Sequence, residues 1–146
     1  GSYTNELKIN DIFLVDKTYS ESNYPLYYSK SNERTVNASK ELNNIIKTTS
    51  KELNIDIKEG TCHSTESFYT SDFNIDEFRK ENNCDCTEME SFSLFINANK
   101  LNKKAACILT ISDSLITKEK LSSKERETLF NKMILLALET TLKIEN

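Results

Sequence analysis

The chain has 146 residues and very little of what many binding sites are built from: two glycines, Gly1 and Gly60, one proline, Pro25, one histidine, His63, and no tryptophan. A backbone cradle for phosphate needs glycines where the chain approaches the anion, usually at a helix N-terminus. No such loop can be written from two. Arginine is equally scarce (Arg34, Arg79 and Arg126), and the net charge is -4, which argues against the clustered positive charge that a nucleic-acid surface requires. No apolar run approaches the length of a membrane span and no signal peptide is recognisable, so neither a membrane nor a secreted setting is expected. The four cysteines, Cys62, Cys84, Cys86 and Cys107, lack the paired spacing of a zinc ribbon or finger. A disulfide framework is also unexpected in a chain of this length with cysteines in apolar surroundings. Reduced structural thiols in the cytoplasm, with no metal, are the expectation. Asn37-Ala38-Ser39 fits the glycosylation triplet by chance, and Gly1-Ser2 reads as a possible cloning remnant.

What is present suits one domain over residues 1–146, with 37% apolar and 29% charged residues. Residues 7–15 have the β-branched and aromatic weighting of a strand with apolar positions on both faces. Residues 16–34, rich in Tyr, Ser and Asn, read as a strand edge and then a mobile loop. Asn37 can cap a helix whose apolar face runs Ala38, Leu42, Ile45 and Ile46 and which ends near Asn54. Residues 55–63 read as a second strand. Asn74, with Glu77 three residues on, predicts a short helix to about Asn82.

Residues 84–87 are extended, and Glu88 is expected to open a helix carrying Met89, Phe92, Leu94, Phe95 and Ile96 mostly on one side. Residues 105–112 form a near-continuous apolar run, the pattern of a strand buried on both faces. Ser122 and Glu125 make a capping box for a terminal helix whose expected buried stripe is Phe130, Met133, Ile134, Ala137 and Leu138. Strands alternating with helices imply an α/β fold with a mostly parallel or mixed sheet.

Ligands in open α/β sheets bind beyond the carboxyl ends of strands. Asp113 follows the most apolar strand, and Glu88 and Glu90 follow another extended segment. Periodicity alone makes Asp113 a loop residue and the glutamates helix-start acids. Their order along the chain adds more. Thr87-Glu88-Met89-Glu90, then Ile111-Ser112-Asp113, then Glu125-Arg126 resemble the bacterial hexameric purine nucleoside phosphorylases. The stretch from Ser64 through Phe68 to Tyr69, and residues 122–138 of the terminal helix, carry the resemblance further. It covers nearly all of residues 55–143 and continues more weakly back to residue 7.

That resemblance implies the C-terminal part of a nucleoside-phosphorylase-like α/β/α fold, with a mixed central sheet flanked by helices. It implies cleavage of a purine nucleoside by phosphate, giving the free base and ribose 1-phosphate, with phosphate as co-substrate and no cofactor. Phe68 matches the aromatic residue that stacks on the purine, and Met89 and Glu90 match the pair that packs under the ribose and binds its hydroxyls. A carboxylate suits that task because its two oxygens can accept from two vicinal hydroxyls. Glu88 ranks behind Glu90, as a helix-start or backbone-satisfying acid.

Asp113 matches the general acid that protonates N7 of the leaving purine, Arg126 the arginine paired with that acid, and Ser112 is a hydrogen-bonding neighbour. A free aspartic acid titrates near 3.9, so a protonated one at neutral pH costs about 4 kcal/mol unless its surroundings help. Arg126 has the sign to favour the anion left after proton transfer. His63, beside the stacking stretch, is expected to be structural. The family usually has His-x-Arg after the acid, whereas here Ser114-Leu115-Ile116 follow.

In the family the phosphate site precedes the first strand placed here, so the chain looks like the half that carries the sugar grip and the acid. Neighbours in a hexamer complete each site in that family, so a homo-oligomer is expected. Two alternatives stay open: a methylthioadenosine or adenosylhomocysteine type of nucleosidase that uses water, and a truncated, non-catalytic nucleoside-binding or subunit-assembly protein.

Overall fold

The computed structural model describes residues 1–68, 73–128 and 130–144; Tyr69 and Leu129, part of the stretches singled out above, lie outside them. Five strands form one mixed sheet: β1 (Ile12–Tyr19), β2 (Thr35–Asn37), β3 (Ile57–Ser64), β4 (Cys86–Glu88) and β5 (Ile108–Thr110). β1 is central. It pairs in parallel with β3, which pairs in parallel with β4. Its other edge takes β5 antiparallel along Ile12, Phe13 and Leu14, and β2 antiparallel along Lys17, Thr18 and Tyr19. A register shift between Val15 and Lys17 separates the two pairings.

Alternation along β1 divides the core. Ile12 and Leu14 face α2 (Lys40–Glu52) and α6 (Asn131–Ile144), meeting Ile46 and Leu136. Phe13 and Val15 face the other way, toward Phe92, Phe95 and Ile96 of α4 (Ser91–Lys100). The sheet is thus covered on both faces, as the α/β pattern implies. Each such side chain, fully buried, contributes about 1.5–3 kcal/mol.

Several element boundaries differ from the sequence expectation, for local reasons. β1 begins at Ile12 rather than residue 7 because side chains bend the preceding segment. Thr4 Oγ1 accepts from the backbone N–H groups of Glu6 and Leu7, Asp11 Oδ2 accepts from Lys8 N, and Asn10 adopts φ 70°. The region read as a mobile loop contains the end of β1 and a short helix, α1 (Tyr24–Ser29), with Pro25 in its first turn. Arg34 Nη1 donates to the carbonyls of Glu21 and Ser22 and closes that excursion. α2 is capped by Ser39, not Asn37: its Oγ accepts from Leu42 N.

The helix expected from Glu88 starts instead at Ser91, because Glu88 ends β4. β5 is shorter than expected and half-buried rather than enclosed, since it pairs only with β1 among the described strands. The terminal helix is two helices, α5 (Ser123–Thr128) and α6, and the buried stripe of α6 is Met133, Leu136 and Thr140. Ile134 and Leu138 point outward, at 49% and 61% exposure, and Ala137 is exposed as well. Asn74 does cap α3 (Ile75–Asn82), and Ser122 and Glu125 form the expected capping box.

Gly1 and Ser2 are built into the sheet. Thr87 N donates to Gly1 O at 2.8 Å, Ser2 N donates to Asp113 O at 2.7 Å, and Ser2 is fully buried. Gly60 allows one close approach: a Cβ there would sit 2.2 Å from Asp85 Oδ2, which accepts from Thr61 N.

Candidate active site

The carboxyl ends of β1, β3 and β4 open into a cleft of about 720 Å³, bounded on the far side by the chain leaving β5. All seven residues singled out from the sequence line it: Phe68, Glu88, Met89, Glu90, Ser112, Asp113 and Arg126. They come from four separate parts of the chain. The first is the turn after β3, the second is the β4–α4 junction, the third is the exit of β5, and the last is α5.

Both carboxylate oxygens of Asp113 are held by side chains. Ser112 Oγ donates to its Oδ2 at 2.6 Å and Arg126 Nη2 donates to its Oδ1 at 2.8 Å. Arg126 Nε also donates to Leu121 O, so the guanidinium is fixed at both ends before it meets the acid. The loop between them turns through Lys118, at φ 64°, and closes where Leu121 N donates to Ser112 O. Ser114, which stands where the family carries histidine, is used inside this turn: its Oγ accepts from Thr117 N.

Glu88 and Glu90 separate clearly. Glu88 Oε2 accepts from the backbone N–H groups of Glu90 and Ser91, both at 2.7 Å, and its Oε1 accepts from Ser91 Oγ at 2.6 Å. It therefore satisfies the open donors at the start of α4, the arrangement that stabilises helix N-termini. Glu90 is exposed, and its carboxylate accepts one long bond from Met89 N at 3.3 Å. Met89 is 41% exposed and Phe68 77% exposed, both on the cleft. An aromatic face and a thioether presented this way offer stacking and packing area to a planar, partly apolar ligand.

Charge in the cleft is lopsided. Among the described residues four carboxylates, Glu21, Glu88, Glu90 and Asp113, line it against one arginine, Arg126, and no lysine. Arg34 is bonded to carbonyls elsewhere, and Arg79 lies near Asp85. An anionic cleft suits a neutral nucleoside or a sugar gaining positive charge, and opposes a free phosphate. Of the four thiols, Cys62, Cys84 and Cys86 are buried and Cys107 is half-buried. Cys62 and Cys86 pair across β3 and β4 with sulfurs 3.4 Å apart, and burial pushes the Cys62 thiol well up. Burial likewise pushes Cys84 and Cys107 up to about 12.

Sequence reasoning did not find Glu21, Tyr3 and Thr110 as lining residues. Tyr3 and Glu21 flank His63, which is buried and also borders the cleft. Tyr3 Oη and His63 Nδ1 are 2.9 Å apart, and His63 Nε2 lies 2.8 Å from Glu21 Oε2. The register that aligns Tyr19 with His63 brings them together, and no local pattern marks it. Thr110 Oγ1 is buried with no partner among the described residues.

The model of the phosphorylase superfamily matches residues 1–141. The chain is similar to the DeoD-type purine nucleoside phosphorylase of Mycoplasma genitalium, 36% identical over 146 residues, covering 99% of this chain and 61% of that protein. Among solved structures it is similar to purine nucleoside phosphorylase from Toxoplasma gondii in complex with immucillin-H, with a TM-score of 0.85 at 17% identity over 100% of this chain and 62% of that one. It is also similar to Campylobacter jejuni 5'-methylthioadenosine/S-adenosyl homocysteine nucleosidase, with a TM-score of 0.79 at 21% identity over 98% and 66% of the two chains. At those identities the two structures speak for the fold alone. The chain spans about three-fifths of the length of the curated relatives it matches.

Proposed function

The chain belongs to the phosphorylase superfamily, and from that premise we propose that it carries the sugar-binding and leaving-group side of a purine nucleoside phosphorylase. The reaction is purine nucleoside plus phosphate to purine base plus ribose 1-phosphate. The observation that carries this reading is the pairing of Asp113, held by Ser112 and Arg126, with the open carboxylate of Glu90 in one cleft. The first suits a leaving base and the second suits a ribose.

In this reaction Phe68 stacks on the purine, Met89 packs under the sugar, and Glu90 accepts hydrogen bonds from the 2'- and 3'-hydroxyls. A phosphate oxygen bonds to C1' as the C1'–N9 bond breaks, and the electron pair of that bond moves into the purine. Asp113 transfers a proton to N7, which keeps charge from accumulating on the leaving base. Ser112 and Arg126 stabilise the aspartate left behind. Glu88 acts on the reaction only through α4, by fixing the backbone that carries Glu90. The anionic lining supports a phosphate site supplied from outside these residues. It also stabilises the cationic character of the sugar in the transition state.

The protein works without a cofactor, as a homo-oligomer in the cytoplasm. Support for association comes from the outward apolar side chains of α6 (Ile134, Leu138 and Leu142), which make the kind of exposed patch that partners cover. Support for a reducing compartment comes from free cysteines with sulfurs 3.4 Å apart.

The test is release of purine base from a purine nucleoside, followed with and without inorganic phosphate, in the wild type and in Asp113→Asn. Phosphate-dependent release that falls steeply in Asp113→Asn is expected. Release at the same rate without phosphate would replace the phosphorylase by a water-using nucleosidase.

A further inference from the structure

Phe68 has to stand at a fixed height over the cleft to stack on a base, yet it is exposed and gains little from core packing. The backbone beneath it therefore sets where the ring lies. That backbone is a turn beyond β3, which ends at Ser64. The sheet holds the first residue of the turn: Thr65 N donates to Glu88 O at 2.9 Å, one step past the pairing of Ser64 with Glu88. Thr65 Oγ1 then accepts from Ser67 N and bends the chain on itself. Glu66, between them, is tied to a different part of the molecule. Ser22 Oγ donates to Glu66 Oε1 at 2.6 Å, across 44 residues of sequence.

Ser22 is buried, and its surroundings aim its hydroxyl. Oγ accepts from Tyr24 N at 3.0 Å, which leaves its proton for the glutamate. The distance to Glu66 is that of a charge-assisted bond from hydroxyl to carboxylate. The backbone that carries Ser22 is fixed as well. Ser22 N donates to Ser20 Oγ at 3.1 Å. Arg34 donates through Nη1 to the carbonyls of Glu21 and Ser22, and through Nη2 to Asn23 Oδ1. Glu21 adds a second tie in the same direction, because its Oε2 lies 2.8 Å from Nε2 of His63, the last residue but one of β3. Two consecutive residues after β1 thus clasp the end of β3 and the turn beyond it, and one guanidinium braces both.

We propose that Ser22 and Glu66, braced by Arg34, position Phe68 for stacking on the purine. This deepens the reading given above and rests on its assignment of Phe68 to the base. Ser22 and Glu66 are positioning residues and act only through the ring. A turn released from Ser22 has to be ordered again each time a base binds, so the loss appears in affinity for the nucleoside. The clasp also gives the excursion through α1 a task. Its two ends, joined where Ser20 N donates to Arg34 O at 2.9 Å, carry the groups that hold the stacking turn.

The experiment is a double-mutant cycle on the full chain, with adenosine affinity measured by calorimetry. Ser22→Ala, Glu66→Ala and Glu66→Gln are each made in the wild type and in Phe68→Ala. Phe68→Ala alone is expected to weaken adenosine about 10- to 100-fold, the range for losing an aromatic partner of a base. Ser22→Ala and Glu66→Ala should each weaken it about 3- to 10-fold while Phe68 is present, the size of coupling between residues that act as a unit. Glu66→Gln, which keeps an acceptor oxygen, should restore part of that loss. Once Phe68 is gone, none of the three should weaken binding further, whereas a merely structural role would cost the same factor in both backgrounds. Glu66 is exposed, so its variants give the answer even if Ser22→Ala folds poorly. An equal loss in both backgrounds, or no loss with Phe68 present, overturns the inference and leaves the proposed function standing. Full affinity in Phe68→Ala removes the stacking role itself, and the inference with it.

Discussion

Glu88 and Glu90 lie two residues apart on the same cleft, yet their surroundings differ. Glu88 accepts two backbone N–H groups and a serine hydroxyl at 2.6–2.7 Å, while Glu90 accepts one long bond and stands exposed. The same side chain in nearly the same place is consumed by a helix terminus in one case and left for a ligand in the other. Asp113 is a third case. Both its oxygens are bonded, but to side chains, Ser112 and Arg126, that themselves line the cleft. A carboxylate bonded to backbone serves the fold. One left open, or bonded to groups that can follow a change in its charge, is free for chemistry.

The contrast should be widest in turnover. Asp113→Asn is expected to lower phosphate-dependent base release by about 100- to 10,000-fold, the range for a general acid. Its thermal unfolding should stay close to wild type if the residue serves chemistry, and a large drop in melting temperature would move Asp113 into the same class as Glu88. Next comes Glu90→Ala. Losing two hydrogen bonds to a charged acceptor should weaken nucleoside binding by at least about 100-fold, with the circular dichroism melt unchanged.

Glu88→Ala should do the reverse. Removing a helix-start acceptor costs about 1–2 kcal/mol of stability, read from urea unfolding. Nucleoside affinity should fall less than in Glu90→Ala. If Glu88→Ala loses affinity as steeply without losing stability, the division between the two glutamates is wrong.

The smallest effect lies at α5, which carries Arg126. Hydrogen bonds from Ser122 hold the Glu125 carboxyl below its ordinary value. A group whose folded value is lowered contributes stability that is present above its unfolded value, about 4.3, and lost as pH falls through the folded one. Glu125→Gln should therefore flatten the acid side of the stability–pH profile slightly, and an unchanged profile would show that the box adds nothing beyond local order.

The starts of α3 and α5 were legible, because a cap is local, whereas the α2 cap and the start of α4 fell two and three residues further on. Asn74 with Glu77, and Ser122 with Glu125, sit within a few residues of what they bond. The start of β1 was not legible, because the apolar pattern of residues 7–15 runs through a bend that Thr4, Asn10 and Asp11 impose with their own side chains. The buried side of α6 was misjudged for a different reason. Ile134 and Leu138 are as apolar as Leu136, and only packing against α2 and β1 decides which of them turns inward.

The cleft divides along the same line. Phe68, Met89, Glu90, Ser112, Asp113 and Arg126 were visible as ordered fragments, and all of them face one space. Glu21 and Tyr3 were not, because they are 42 and 60 residues from His63 and meet it only once the chain has folded and β1 has paired with β3.

The central claim is that Glu90 grips the ribose hydroxyls and Glu88 does not. It is tested most directly by the affinities of wild type, Glu90→Ala and Glu88→Ala for adenosine and for 2',3'-dideoxyadenosine, measured by calorimetry. The expected result is a preference for adenosine of at least about 100-fold in wild type, kept in Glu88→Ala and lost in Glu90→Ala. A preference that survives in Glu90→Ala, or vanishes in Glu88→Ala with Glu90 intact, would contradict it.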